Sequence, residues 1–188
     1  RMENRIDDGY SFFKWSHHPH DDWEEGVNQY QQFLKANSID WKNKTIDKKP
    51  SEFYNMVDGI QPEFHQTTWC VDEAINFIES CDDNPFLISI NPFDPHPPLD
   101  PPQQYKDKLN IEDMPLPLWQ DGELDNKPAL QKNDYFNGGQ NGIAKSITKM
   151  SDNEKQENTR DYYAMIELID DQLGRLLNYL EDNGLKKN

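Results

Sequence analysis

The stretch Pro85–Asn91, PFLISIN, constrains the fold more than any other in this chain. Phe86, Leu87, Ile88 and Ile90 make a near-continuous apolar run that is too short for a helix. Such a run predicts a strand buried on both faces, as in a parallel sheet covered by helices. Before it, HQTTWCVDEAINFIES predicts a helix over about 68–80, with Val71, Ala74, Ile75 and Ile78 as its apolar stripe. Thr67 or Thr68 is placed to cap that helix, and Asp82, Asp83, Asn84 and Pro85 stop it. Helix, short turn and buried strand are half of a βαβ unit. The expected class is therefore α/β.

Two further helices are legible. Trp23, Val27, Tyr30 and Leu34 share one face of a helix predicted over 21–36, with Asp21 and Asp22 at its N-terminus. Ser151 and Glu154 have capping-box spacing. From Tyr162 through Ile166, Ile169, Leu173, Leu176, Leu177 and Leu180 the apolar steps are threes and fours, which predicts a helix over 151–183. Gly184 is its expected C-terminal cap. Residues 103–150 are interrupted by Pro115, Pro117 and Pro128 and read as a functional loop or an insertion, with a short helix around Pro128–Lys132.

The 188 residues suit one domain, and a net charge of −16 sets its partners. That charge argues against a nucleic-acid backbone, which calls for clustered Lys and Arg, and against anionic membranes. No apolar run reaches membrane-spanning length, and no signal peptide is visible. Cys70 and Cys81 form no zinc pattern; Cys70 reads as core. Asn43-Lys44-Thr45 has the glycosylation pattern. The opening RMENRIDD and the end at GLKKN, just after a helix, read as the borders of a fragment truncated at both ends.

The chemistry concentrates past the strand. In open α/β sheets ligands bind beyond the carboxyl ends of the strands, and His96 follows such an end closely, flanked by Pro95 and Pro97. Proline fixes its own φ and pushes the preceding residue toward extended geometry. The expectation is an imidazole on a stiff arm at the sheet's rim, able to give or take a proton near neutral pH. The bland alternative is a structural histidine in a proline-rich surface loop. Asp94 is a candidate to orient the ring, and the alternative for it is a turn-forming Asp before proline. In GYSFFKWSHHPHDDW, Trp15, His17, His18 and His20 are candidates for stacking on and hydrogen-bonding to a sugar or sulfate. His65, at a helix start, reads as structural.

PFLISINPFDPHPPLDPPQQY resembles the middle signature of the type I sulfatases, where a strand ends in a Pro-His-x-Pro turn. HQTTWCVDEAINFIE resembles the helix before that strand. YYAMIELIDDQLGRLLNYLEDNGL resembles the family's long helix, with its Asp-x-x-x-Gly-Arg core at Asp170, Gly174 and Arg175. GYSFFKWSHHPHDDW is similar to a segment of carbohydrate-type members.

The resemblance implies an alkaline-phosphatase-like fold, a mostly parallel sheet flanked by helices, of which residues 1–188 are the central part of a single catalytic domain. It implies hydrolysis of sulfate esters by a formylglycine nucleophile with calcium clamping the sulfate. His96 matches the family histidine that contacts the sulfate or protonates the leaving alcohol. Neither Cys70 nor Cys81 has the Pro and Arg of the nucleophile motif, and the paired metal aspartates are absent, so no metal ligand is assigned in this chain. The chain alone is expected to be inactive. The implied substrate is a sulfated small molecule or polysaccharide, and the implied location is periplasmic or secreted in a bacterium. Two alternatives stand beside it: a phosphonate monoesterase or phosphodiesterase of the same superfamily, and a non-catalytic acidic interaction module with the same fold.

Overall fold

The structure, a computed structural model, describes residues 9–16, 28–39, 60–82, 84–139 and 145–186. The described residues form two compact units. The first comprises 9–16, 28–39, 62–82, 84–93 and 169–186; the second comprises 60–61, 94–139 and 145–168.

In the first unit, helix α1 (Gln29–Ala36) is capped by Asn28, whose side chain accepts from the N–H of Gln31. The sequence predicts a helix from residue 21, but the helix begins at Gln29. Asn28 is extended, and its side chain takes the orphan donor that a continuous helix would have given to a backbone carbonyl. The proposed start at Asp21 and Asp22 lies outside the described residues, as do Trp23 and Val27.

Helix α2 (Gln66–Ser80) starts two residues earlier than predicted. Its cap is neither Thr67 nor Thr68 but His65, whose Nδ1 accepts from the N–H of Thr67 at 3.2 Å. Both threonines are already inside the helix and buried. Tyr30 and Leu34 of α1 are buried, and the Tyr30 ring meets Trp69 of α2 at 5.6 Å while its hydroxyl donates to the Phe64 carbonyl at 2.8 Å. The tyrosine thus buries its ring and still satisfies its polar end.

The apolar stripe of α2 buries as read. Val71 and Ile78 form a core with Leu176 of helix α5 (Asp152–Asp182), and Ile75, Phe86, Ile90, Tyr179, Leu180 and Leu185 pack around it. Arg175, of the Asp-x-x-x-Gly-Arg core, pairs with Asp72 beside this seam. Gly184 follows α5 at φ +71°, the left-handed conformation that glycine adopts without cost. The Leu185 N–H then reaches back to the Leu180 carbonyl at 2.8 Å, which closes the helix as expected from sequence.

The expected strand is not seen among the described residues. Residues 85–93 carry no strand hydrogen bonding, and among the described residues no β-ladder forms; Leu99 makes a single isolated bridge. Phe86, Ile88 and Ile90 are half-buried, whereas Leu87, Ser89 and Asn91 are exposed, Leu87 at 83%. Alternation of this kind is the pattern of a segment with one covered face. A ladder needs neighbouring strands, and the described residues supply none, so burial on both faces is not confirmed here.

In the second unit, α3 (Gln103–Lys106) and the N-terminal part of α5, up to Leu168, make the core. Tyr105 packs with Ala164 and Leu168, with Leu109 at the edge. Lys106 Nζ lies 3.3 Å from Asp161 Oδ2, both side chains almost wholly buried. Helix α4 (Ala129–Asn137) extends the short helix predicted at 128–132. Residues 103–150 are thus not structureless: single 3₁₀ turns at Ile111–Asp113 and Ile147–Lys149 join these helices. The capping box at the start of α5 is complete. The N–H of Ser151 donates to Glu154 Oε2 at 2.7 Å, and the Glu154 N–H donates to Ser151 Oγ at 3.2 Å.

Candidate active-site loop

His96 sits at the crest of a loop in the second unit whose two feet are buried. Asp94 is 8% exposed on one side; Pro98, Leu99, Asp100, Pro101 and Pro102 are buried on the other. The ring itself is exposed. The peptide bonds Asp94–Pro95 and Pro97–Pro98 are cis. Anchoring on both sides restricts the imidazole's position without covering it, the condition under which a catalytic group is placed in advance of its substrate.

The Nδ1 of His96 lies 2.6 Å from the carbonyl oxygen of Pro97. A carbonyl only accepts, so Nδ1 carries the hydrogen and donates. The tautomer follows: in the neutral ring Nε2 is the acceptor, and in the charged ring Nε2 is a second donor.

Asp94 and Asp100 bracket the histidine, and a carboxylate oxygen of one lies within 4.8 Å of one of the other. Both engage further groups. Calcium takes six to eight oxygen ligands, and two carboxylates supply at most four. This pair does not by itself make a calcium site. The two cysteines do not fit a formylglycine precursor either, because Cys70 is inside α2 and Cys81 is its C-cap.

Of the other sequence candidates, Trp15 is half-buried in the first unit. Its carbonyl accepts from the N–H of Gln29 at 3.0 Å, and its own N–H donates to Gln29 Oε1. It lines a cavity of about 360 Å³ together with Phe12, Trp69, Glu73, Phe77 and Ile88. His17, His18 and His20 lie outside the described residues. Nothing in the sequence pattern marks the buried Lys106–Asp161 pair, to which Arg160 adds contacts at 2.8 and 3.0 Å. Its partners are 55 positions apart, and no local pattern joins them.

The family model described as Sulfatase matches residues 8–188. An arylsulfatase of Clostridium perfringens (strain 13 / Type A) is 33% identical over 132 residues, covering 69% of this chain and 26% of the relative. The multifunctional alkaline phosphatase superfamily protein PehA of Trinickia caryophylli is 27% identical over 135 residues, covering 66% of this chain and 26% of the relative. The chain thus spans about a quarter of the length of these curated relatives. With the match running through the helix of Val71 and Ile78, the His96 loop and the long α5, the chain belongs to the sulfatase family.

Proposed function

We propose that the complete protein is a sulfuric ester hydrolase acting on a sulfated carbohydrate, and that the 188 residues are the central part of its catalytic domain. The observation that carries this reading is His96 itself: an exposed imidazole on a loop buried at both feet, with Nδ1–H donating to the Pro97 carbonyl. In the charged ring, Nε2–H donates to an oxygen of the sulfate ester and passes its proton to the departing alcohol oxygen as the S–O bond breaks. The Pro97 carbonyl supports the positive ring by accepting from Nδ1. Calcium and a formylglycine nucleophile, when present, would supply charge neutralisation and attack on sulfur; no residue of this chain is assigned to hold either.

On the same reading, residues 85–91 are a strand of a mostly parallel sheet, with Leu87 on the face that a neighbouring layer covers. The protein is placed in the periplasm or outside a bacterial cell, on the ground that polysaccharide sulfates are met there.

A second reading is favoured by the PehA relative, named for several activities within the alkaline phosphatase superfamily. It makes the substrate a phosphonate monoester or phosphodiester, whose tetrahedral anion has the shape of a sulfate ester. Turnover of the complete protein on aryl sulfate, sugar sulfate, phenylphosphonate ester and phosphodiester decides between them. Sulfate release dominating kcat/KM supports the first reading; dominance of either phosphorus ester overturns it.

A further inference from the structure

The second unit displays an ordered aromatic surface that the His96 loop does not use. Trp119 stacks on Tyr135 with ring centroids 4.3 Å apart and planes 14° from parallel, and Phe136 stands edge-on to Tyr135 at 5.0 Å. Trp119 is 46% exposed and Phe136 55%, with Leu118 beside them almost fully open at 98%. The support beneath is firm. Ser146, 1% exposed, donates from Oγ to the Tyr135 carbonyl at 2.6 Å. Successive turns carry the chain from Gln120 to Lys127, with Gly122 at φ +81°. An exposed apolar patch held in this way marks a binding surface.

Its surroundings decide what binds. Glu123 accepts from the N–H of Gln120 at 3.3 Å, which sets a carboxylate beside Trp119, and Asp134 adjoins Tyr135 in sequence. Over residues 114–137, Asp121, Glu123, Asp125 and Asp134 stand against Lys127 and Lys132. An anionic ligand is repelled. A second copy of a chain at −16 meets the same repulsion, as does an anionic membrane. A neutral sugar ring fits both features: its C–H face lies on the indole, and its hydroxyls donate to carboxylates that only accept.

We propose that the Trp119–Tyr135 stack is a binding platform for a neutral, unsulfated sugar unit of a glycan. The proposal rests on the carbohydrate reading above for the source of that glycan, but its test reads binding and not hydrolysis. Neutral hexaoses of β-linked glucose, mannose and galactose, and a sulfated galactose hexaose, are titrated by calorimetry into the 188-residue chain. At least one neutral hexaose binds saturably, Trp119→Phe keeps the affinity, and Trp119→Ala weakens it at least about tenfold. The sulfated hexaose binds at least about tenfold more weakly than its neutral counterpart. Should Trp119→Ala fail to fold, the indole N–H resonance of Trp119 in the unaltered chain gives the same answer by shifting with the neutral ligand. No binding of any neutral hexaose up to about 10 mM overturns the proposal. So does equal or tighter binding of the sulfated one, a Trp119 resonance that stays fixed while ligand binds, or a dimer abolished by Trp119→Ala. Sulfate release measured separately on the complete protein leaves the sulfatase reading standing or falling by itself.

Discussion

Lys106 Nζ and Asp161 Oδ2 lie 3.3 Å apart with side chains 3% and 9% exposed, so α3 is bound to α5 by an ion pair removed from water. Such a pair adds little over an apolar replacement, yet removing one partner is costly because the other charge stays buried. The two single substitutions are not equivalent. Asp161 also pairs with Arg160 at 2.8 Å, so Lys106→Met leaves the carboxylate a cation. Asp161→Ala takes the carboxylate from both cations. Asp161→Ala is expected to cost about 3 kcal/mol or more in urea unfolding, and Lys106→Met clearly less. Equal losses would show that Arg160 contributes nothing to holding Asp161.

The start of α5 makes a pH prediction. Hydrogen bonds from Lys145 Nζ and the Ser151 N–H hold the Glu154 carboxyl down to about 2. A folded-state value below the unfolded one means that the unfolded chain binds more protons between them, so stability rises with pH across that window. The contribution is complete above the ordinary carboxylate range and is lost as pH falls toward about 2. Glu154→Gln is expected to be the less stable protein at pH 7, with the gap closing as the pH drops below 4. Urea midpoints at pH 7, 4 and 2.5 check it, and a gap independent of pH would remove Glu154 from the acid response. The side chain is about one-third exposed, so the effect is modest.

How far this structure is legible from sequence depends on how local each interaction is. The Ser151–Glu154 box, the length of α5 and the Gly184 terminus are contained within a few residues, and all three agree with the structure. The cap of α2 was not legible because Thr67 and Thr68 are the commoner capping residues, while His65 does the same work with a ring nitrogen. The sheet of the α/β reading is a different case. The composition of Phe86–Ile90 is that of a strand, but a strand is a relation between segments, and the described residues hold one side only. Around His96 the prolines lead to an expectation of stiffness, and the structure adds that Asp94 and residues 98–102 are buried on either side of the ring. The bond from Nδ1 to the Pro97 carbonyl required coordinates.

Cap chemistry at His65 is testable by substitution. Its Nδ1 meets the N–H of Thr67 at 3.2 Å in a buried setting. His65→Ala is expected to lose about 1 kcal/mol for the missing cap, with more from the lost packing of a ring 2% exposed. His65→Asn restores the acceptor and recovers part of the loss. Thermal unfolding of the three proteins checks this, and an asparagine variant no better than alanine would assign the whole effect to packing.

Leu87 tests the sheet. Its 83% exposure predicts that Leu87→Lys changes the stability of the 188-residue chain by no more than about 0.5 kcal/mol. In the complete protein, a strand covered on both faces would bury that lysine, at a cost of several kcal/mol. The comparison is between two urea titrations of the same substitution. A small effect in both would leave residue 87 facing solvent and withdraw the neighbouring layer.

The last test concerns His96 and the proton it is proposed to deliver. In the complete protein, His96→Ala is expected to lower kcat on an alkyl or sugar sulfate by about 10²-fold or more, the range for loss of a positioned acid. An alcohol leaving group needs that proton; a nitrophenolate, stable as an anion, does not. The loss should therefore shrink sharply on nitrophenyl sulfate while remaining large on the sugar sulfate. If His96 only binds the sulfate, both substrates lose alike, because the sulfate is common to them. His96→Gln separates the roles further, since its amide keeps a hydrogen-bond donor near the ester but has no proton to give away. A glutamine variant near wild-type rate on the sugar sulfate would take acid catalysis from His96 and leave it a positioning contact.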